Sequence, residues 1–238
     1  LPIPGSLCQT SPMKRLTVKH LTAILCLTLA VLLGSAGVSW YKGTVTDRKM
    51  LAVLLGSAKV SWSADYNMGL TAALRGDFVT ALREWETLAE QGNSSAQYNL
   101  GQLYRNGQGV PQDNRTAGKW FKLAAAQGNA DAQFNLGWMY HKGQGILQDD
   151  KTAVKWFKLA AEQRNAGAQK NLSVMYAFGK GVSQDYIYSH MWGNLAAANG
   201  NGLGGMLRDD WENKMTPADI SAAQKLAREC VRKKYKGC

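Results

Sequence analysis

The sequence predicts an all-α fold, an α/α superhelical solenoid built from helix-turn-helix repeats. Two observations predict it. Residues 94–129, 130–165 and 166–201 align with one another without gaps at an offset of 36 residues, and self-similarity at such a period is the signature of a repeat architecture. Within each segment, apolar residues recur at the three- and four-residue spacing of amphipathic helices on both sides of a glycine-rich loop.

The N-terminal residues have the pattern of an export signal. Basic residues follow Met13, an uncharged apolar run covers residues 21–33, and residues 34–36 are the small residues of a cleavage site. We expect residues 1–12 to be upstream translation and residues 13–36 to be a signal peptide, which would place the mature protein in the periplasm or outside the cell. A buried helix is the alternative for this run, and without cleavage the run would act as a signal anchor.

Residues 29–40 and 51–62 are near copies of each other, identical at eleven of twelve positions. The second apolar block is too short to span a bilayer, which needs about 20 residues. We therefore interpret residues 37–63 as a leader that contains a duplicated signal-like segment, and we expect no stable membrane insertion after cleavage. Three cleavage sites remain open, at Ala36, Ala58 and Ala64.

Each full unit is predicted to form two antiparallel helices, A and B. In the first unit, Gly107 and Gly109 end helix A, because glycine adopts the positive φ of a helix C-terminus. Asp113 can cap helix B with its carboxylate, and a shorter unit, residues 64–93, precedes the full ones. The apolar stripes are Ala96, Leu100, Leu103 and Tyr104 on helix A and Ala117, Trp120, Phe121, Ala124 and Ala125 on helix B, with Trp120 and its equivalent Trp156 expected to be mostly buried.

The repeated pattern A-x-A-Q-x-N-L-G-x-x-Y-x-x-G-x-G-V-x-Q-D-x-x-x-A-x-x-W-x-x-x-A-A-x-x-G-N resembles the Sel-1-like repeat family. That family is related to tetratricopeptide repeats, so the resemblance implies a right-handed α/α superhelix over residues 64–201. The exported layout also resembles bacterial Sel-1-like proteins of the cell envelope. Three residues depart from the pattern, namely Ser173 for the helix-A glycine, Gly193 for the bulky Phe121 and Arg164 for the terminal glycine, so we expect the third full unit to begin a cap.

Residues 202–238 are predicted to form a C-terminal cap and a basic tail. A first helical segment covers residues 206–214, and a last helix runs to about Lys233. Thr216, as the N-cap, and Pro217, at the first helical position, mark the start of that helix. It would cover the apolar end of the array, as solenoids require.

The mature chain retains two cysteines, Cys230 and Cys238, because Cys8 and Cys26 lie upstream of the signal peptide and inside it. Their short spacing in an exported protein predicts a disulfide loop. Two free or intermolecular thiols are the alternative. A zinc site is disfavoured, because zinc needs four ligands and no histidine lies nearby.

The net charge of +11 does not indicate a nucleic-acid binder. Residues 1–65 contribute +5, residues 66–224 contribute +1 and residues 225–238 contribute +5. The basic excess therefore lies at the two ends, whereas a nucleic-acid binder carries it on its folded face.

The sequence contains no recognisable catalytic constellation, and we expect no catalytic residue, no metal and no cofactor. The histidines His20, His141 and His190 lie in different segments. The recurring Gly-x-Gly loops are interpreted as helix ends rather than phosphate cradles. The pair Asp149–Asp150 is interpreted as an N-cap and a first-turn charge rather than an acid–base couple.

A second stripe on helix A is the candidate binding surface. It lies about 200° from the core stripe, at 100° per residue, and it changes in chemistry between units while the core positions do not. Either these residues pack between repeats, or they line a concave groove with Tyr98, Phe134 and Trp138 as aromatic anchors. The candidate partner-binding residues are Tyr98, Gln102, Arg105, Phe134, Trp138, His141 and Lys170, continued in the third unit by Val174 and Ala177.

Two functional classes follow. The favoured one is a non-enzymatic exported scaffold that binds another protein or a peptide. The other is a cell-wall-related enzyme or ligand binder, because some Cys-rich secreted Sel-1-like proteins are linked to β-lactam binding or hydrolysis. Those relatives carry a cysteine pair in each repeat, whereas residues 64–201 contain none.

Overall fold

The computed structural model describes residues 58–238, which contain helices and turns and no strand. The predicted signal peptide, residues 13–36, and the leader up to residue 57 lie outside the described residues. Trp62–Cys238 form one unit. The helices are α1 Ala58–Leu74, α2 Phe78–Glu90, α3 Ser94–Asn106, α4 Asn114–Ala126, α5 Ala130–Lys142, α6 Asp150–Glu162, α7 Ala166–Phe178, α8 Tyr186–Ala198, α9 Gly202–Glu212 and α10 Pro217–Arg232.

Successive helices pack against each other from α2 to α9, so the three full units are the helix pairs α3–α4, α5–α6 and α7–α8. This arrangement is an α/α solenoid, as the sequence predicts. No helix within residues 58–238 is long and apolar enough to cross a membrane.

Side-chain caps fix where the helices begin. At the start of the second full unit, the side-chain oxygen of Asn129, the last residue of the first unit, accepts a hydrogen bond from the backbone N–H of Ala132 at 2.9 Å. The Asp149 carboxylate accepts one from the N–H of Thr152 at 3.1 Å. Each bond satisfies a backbone donor that a helix N-terminus leaves unpaired. Asn93, Asp113, Asn165 and Asp185 have the same role in the neighbouring units.

The two glycines of each loop have different functions. Gly143 ends α5 in the left-handed region, at φ 68°. Gly145 also has a positive φ, and a Cβ there would lie 2.5 Å from the carbonyl of Asn114, at the start of α4. The second glycine therefore lets one unit approach the helix of the preceding unit, so both glycines are explained by helix termination and stacking.

A phenylalanine fills the centre of the first and second full units. Phe121 and Phe157 are fully buried, and a Cβ on Gly137 would lie 2.8 Å from the ring of Phe157. Trp120 and Trp156 are mostly buried, as the sequence predicts, but less completely than the adjacent phenylalanines. Each packs against a core cluster that the preceding unit forms with helix A of its own unit, since its position on the helix is 100° away from the phenylalanine.

A buried glutamine connects each full unit to the one before it. Gln133 donates from Nε2 to the Ala125 carbonyl of the preceding unit at 3.1 Å, and its Oε1 accepts from Gln163 at 2.8 Å. Gln97 and Gln169 make the equivalent bonds. Each buried amide is thereby paired, which avoids the cost of an unsatisfied polar group.

The third full unit ends the regular packing. Gly193 occupies the position of Phe157, and a Cβ there would lie 2.9 Å from the carbonyl oxygen of Gly204 in α9. The missing side chain lets α9 pack against both α7 and α8, while Ser173 replaces the helix-A glycine and bonds with Ser189 instead. Helix α9 begins at Gly202 rather than at residue 206, because Asn201 caps it.

The last helix, α10, packs against α8. Thr216 and Asp219 form a capping box at its start, and Cys230 and Cys238 are joined by a disulfide with Cα atoms 5.5 Å apart. The tail turns back so that the ring of Tyr235 lies under the guanidinium group of Arg164, 5.5 Å from the ring centre. Arg164 has a φ of 66° and also donates to Asn199, so this departure from glycine holds the tail against the solenoid.

Candidate peptide-binding groove

A groove lies between the first and second full units, where α3 and α5 meet the loops that follow them. Its cavity has a volume of ≈ 340 Å³. Three residues of the predicted stripe line the groove, Arg105 from α3 and Phe134 and Trp138 from α5. The full lining is Arg105, Gln112, Asn114, Phe134, Asn135, Trp138 and Gln144.

The two aromatic rings are held in place by the core. Phe134 and Trp138 are partly buried and pack against the core cluster of the second and third units. The Phe134 ring lies 6.0 Å from that of Phe157, in a tilted arrangement. Rings fixed on one side and open on the other can bury apolar groups of a ligand at little entropic cost.

A polar network orients the cation. Arg105 donates from its guanidinium group to the side-chain oxygen of Asn135. The amide nitrogen of Asn135 in turn donates to the Asp131 carbonyl oxygen at 2.7 Å. Asn135 is buried, so it fixes the position of Arg105 across the boundary between the two units.

Tyr98 and Gln102 lie outside the groove lining. The Tyr98 ring packs 5.9 Å from the ring of Phe121, and its hydroxyl accepts a hydrogen bond from Gln102 Nε2 at 2.8 Å. Burial, and then the Asp131 carboxylate, raise the pKa of Tyr98 above its ordinary value. The phenol is therefore neutral at physiological pH and serves in packing between α3 and α4.

The remaining stripe residues also lie outside the lining. His141 Nδ1 lies 2.6 Å from an Asp150 carboxylate oxygen. Lys170 and Val174 are partly buried on α7, whereas Ala177 is buried. The structure therefore brings together one part of the stripe, at the junction of the first two full units.

Sequence reasoning missed four amide side chains of the lining. Gln112 and Asn114 flank the cap of α4, Gln144 lies in the glycine loop, and Asn135 is on α5. Gln112 and Gln144 belong to segments interpreted only as helix ends. Asn135 recurs as Asn99 and Asn171, and Gln112 recurs as Gln148 and Gln184, so recurrence was the available signal for these two positions.

The described part of the chain is thus a helical-repeat solenoid with a groove of aromatic, amide and guanidinium groups. A family model described as the Sel1 repeat matches residues 94–129, 130–165 and 166–201, the bounds of the three units aligned from the sequence. The chain therefore contains three Sel1 repeats.

Two solved structures share the fold. The chain is similar to a Sel1 repeat protein from Oxalobacter formigenes, with 26% identity and a TM-score of 0.57 over 62% of each chain. It is also similar to c5321, a protective antigen of uropathogenic Escherichia coli strains that displays an SLR fold, with 27% identity and a TM-score of 0.52. That match covers 77% of this chain and 50% of the antigen, so this chain matches less than two thirds of either structure. No curated protein matches the chain.

Proposed function

We propose that this protein is a non-enzymatic, exported scaffold that binds an extended segment of another protein in the groove between its first two full units. The observation that carries the proposal is the convergence of Arg105, Phe134 and Trp138, from two different helices, on one cavity of ≈ 340 Å³. This volume falls in the range of ligand-binding clefts.

The lining indicates the chemistry of the bound segment. Arg105 is the one charged residue among the seven that line the cavity, so an acidic side chain or a carboxylate is favoured beside it. Phe134 and Trp138 offer apolar contacts next to this cation. The amides of Gln112, Asn114 and Gln144 can both donate to and accept from a peptide backbone.

The same lining supports binding over catalysis. Its seven side chains are amides, aromatic rings and one guanidinium group. None of these seven groups is a usual nucleophile or general base at neutral pH. A penicillin turnover assay on the full chain is the direct check, and measurable hydrolysis would contradict the non-enzymatic part of the proposal.

Export is supported by the signal pattern at residues 13–36 and by the disulfide between Cys230 and Cys238, because disulfides persist in oxidising compartments. Fractionation of a C-terminally tagged chain should place it in the periplasm or the medium. Mass spectrometry of the tagged product should show a new N-terminus directly after Ala36, or near Ala58 or Ala64. A full-length cytoplasmic species would contradict this part of the proposal.

Trp138→Ala tests the groove itself. We expect this variant to lose binding to peptides selected against the native protein from a random display library, because it removes the largest apolar contact of the groove. Trp156→Ala is the matched control: Trp156 is also partly buried but lies outside the groove lining.

Thermal unfolding followed by circular dichroism separates the two readings of the stripe. If the stripe is the binding surface, Trp138→Ala abolishes binding while the melting temperature changes little. If the stripe only packs between repeats, the same variant loses a few kcal/mol of stability, about as much as other large truncations at buried contacts. Loss of stability without selective loss of binding would overturn the assignment.

A further inference from the structure

The outer faces of α4 and α6 carry a row of basic residues. Cations recur at four- and three-residue steps on each helix, so each set lies on one side of its helix. None of these cations forms an ion pair within residues 65–238. Lys119 and Lys155 attract the carboxylates of Asp113 and Asp149 without pairing, and Lys158 lies over the Tyr176 ring, 5.6 Å from its centre. The row consists of Arg115, Lys119 and Lys122 on α4 and Lys151, Lys155 and Lys158 on α6.

An exposed leucine adjoins each half of the row. Leu123 is 49% exposed and Leu159 is 45% exposed. The equivalent residue of the third unit, Leu195, is only 2% exposed. The difference is caused by α10, whose residues Ala227 and Val231 face Leu195. The fold itself therefore shows that this face of a helix B accepts a helix.

The charges at the covered and uncovered faces differ systematically. In the third unit, the positions of the three cations hold Ile187, Met191 and Asn194. The helix that covers them has an excess of positive charge, with Lys225, Arg228 and Arg232 against Asp219 and Glu229. The helix with excess positive charge thus covers the outer face of α8, which lacks the cations of α4 and α6. The faces of α4 and α6 would repel such a helix and attract one of opposite charge.

We propose that the outer face of α4 and α6, defined by the six cations with Leu123 and Leu159, is a second binding surface that takes an acidic amphipathic helix of another protein. Charge disfavours a segment of this chain as the occupant. Residues 1–65 carry seven Lys or Arg against two Asp or Glu, and residues 225–238 carry six against one. Charge likewise disfavours the α10 helix or the tail of a second copy.

The test uses the full chain and two labelled peptides with the sequence of α10, residues 217–232, both with Cys230→Ala. In the acidic probe, Lys225, Arg228 and Arg232 are replaced by Glu, while the control peptide keeps the basic residues. Fluorescence anisotropy should show binding of the acidic probe that weakens as salt is raised, and no binding of the basic peptide. Equal binding of both peptides would overturn the proposal.

Two double variants locate the binding. Lys119→Glu/Lys155→Glu and Leu123→Ser/Leu159→Ser should each weaken binding of the acidic probe by about tenfold or more. Arg75→Glu/Lys180→Glu is the matched control, because both residues are exposed and lie outside the face, and it should leave binding unchanged. Trp138→Ala should also leave it unchanged, which distinguishes this face from the groove.

Three further outcomes would overturn the proposal. An equal loss in the Arg75/Lys180 variant would show that only net charge matters. If the leucine changes do not weaken binding, and inorganic polyphosphate displaces the acidic probe as well as unlabelled probe does, the face would be a general polyanion site. A concentration-dependent dimer, detected by sedimentation and abolished by Leu123→Ser/Leu159→Ser, would identify a second copy as the occupant.

Discussion

The second and third full units have helices of equal length and the same N-cap residue types, yet they meet their C-terminal neighbours differently. In the second unit, Gly137 leaves space for the ring of Phe157. In the third unit, Ser173 and Gly193 replace this pair, and the space at Gly193 lets α9 approach. The array is thus closed by a change of side-chain size at two positions, while the helices themselves are retained.

The C-terminal ends of the two units also differ. Gln163 and Gln133 pair at the end of the second unit, and Asn199 takes the place of the first glutamine at the end of the third. Asn199 contacts the hydroxyl of Tyr235 as well. The shorter side chain of Asn199 therefore hydrogen-bonds both with Gln169 and with Tyr235 of the returning tail.

The largest expected effect tests the core of the regular unit. Phe157→Ala removes a fully buried ring and should cost about 3–5 kcal/mol of unfolding free energy, measured by chemical denaturation. Trp156→Ala should cost less, because this neighbouring ring is only partly buried. An equal or larger loss for Trp156 would show that the tryptophan holds the units together.

The disulfide tests how firmly the capping region is fastened. Cys230→Ser/Cys238→Ser should lower stability by roughly 2–3 kcal/mol, because the bond closes a short loop. Without the bond, Tyr235 should leave Arg164, and a protease should then cut first in the tail. Mass spectrometry of non-reduced peptides from the native protein provides the check on the bond itself, and two free thiols in exported protein would contradict it.

Gly193→Phe restores the residue type of the regular units at the place where they close. The new side chain would meet the backbone of α9, so stability should fall by about 1–3 kcal/mol, the usual cost of overpacking. Protease sensitivity should rise within residues 202–215. Gly202→Ala is the control, since no atom lies within 4 Å of a Cβ there. Equal effects of both variants would show that α9 does not depend on the gap.

The smallest effect concerns the helix caps. The Thr152 side-chain hydrogen bond, and then its backbone N–H, lower the pKa of Asp149. A carboxyl whose pKa is lower in the folded state contributes stability above its unfolded pKa, about 3.9, and loses it as the pH falls through the folded value.

Thr152→Val makes this cap resemble that of the third unit, where Tyr188 offers Asp185 a backbone N–H. We expect the pKa of Asp149 to rise toward its ordinary value, as followed by NMR titration of the carboxyl carbon. The acid-induced loss of stability should become shallower. An unchanged titration would show that the hydroxyl bond is not the main cause.

The sequence by itself determined the repeat, its period and the helix ends, because these depend on contacts within a few residues. Asn129 and Asp149 cap, and Gly143 ends, their helices as local chemistry requires. Part of the groove was also predictable from Trp138 and its neighbours on one stripe. The amides that complete it were not, because Gln112 and Gln144 reach it only through the stacking of two units.

Tertiary structure alone decided which of two adjacent aromatic residues forms the core. Trp156 and Phe157 are equally apolar in the pattern, and they lie 100° apart on α6. Burial therefore depends on which neighbouring helix occupies each direction, and the sequence of one helix does not state this. The same reason explains why α10 covers the outer face of α8. Helix caps and periodicity predict only that a helix closes the end of the array, and not which face it covers.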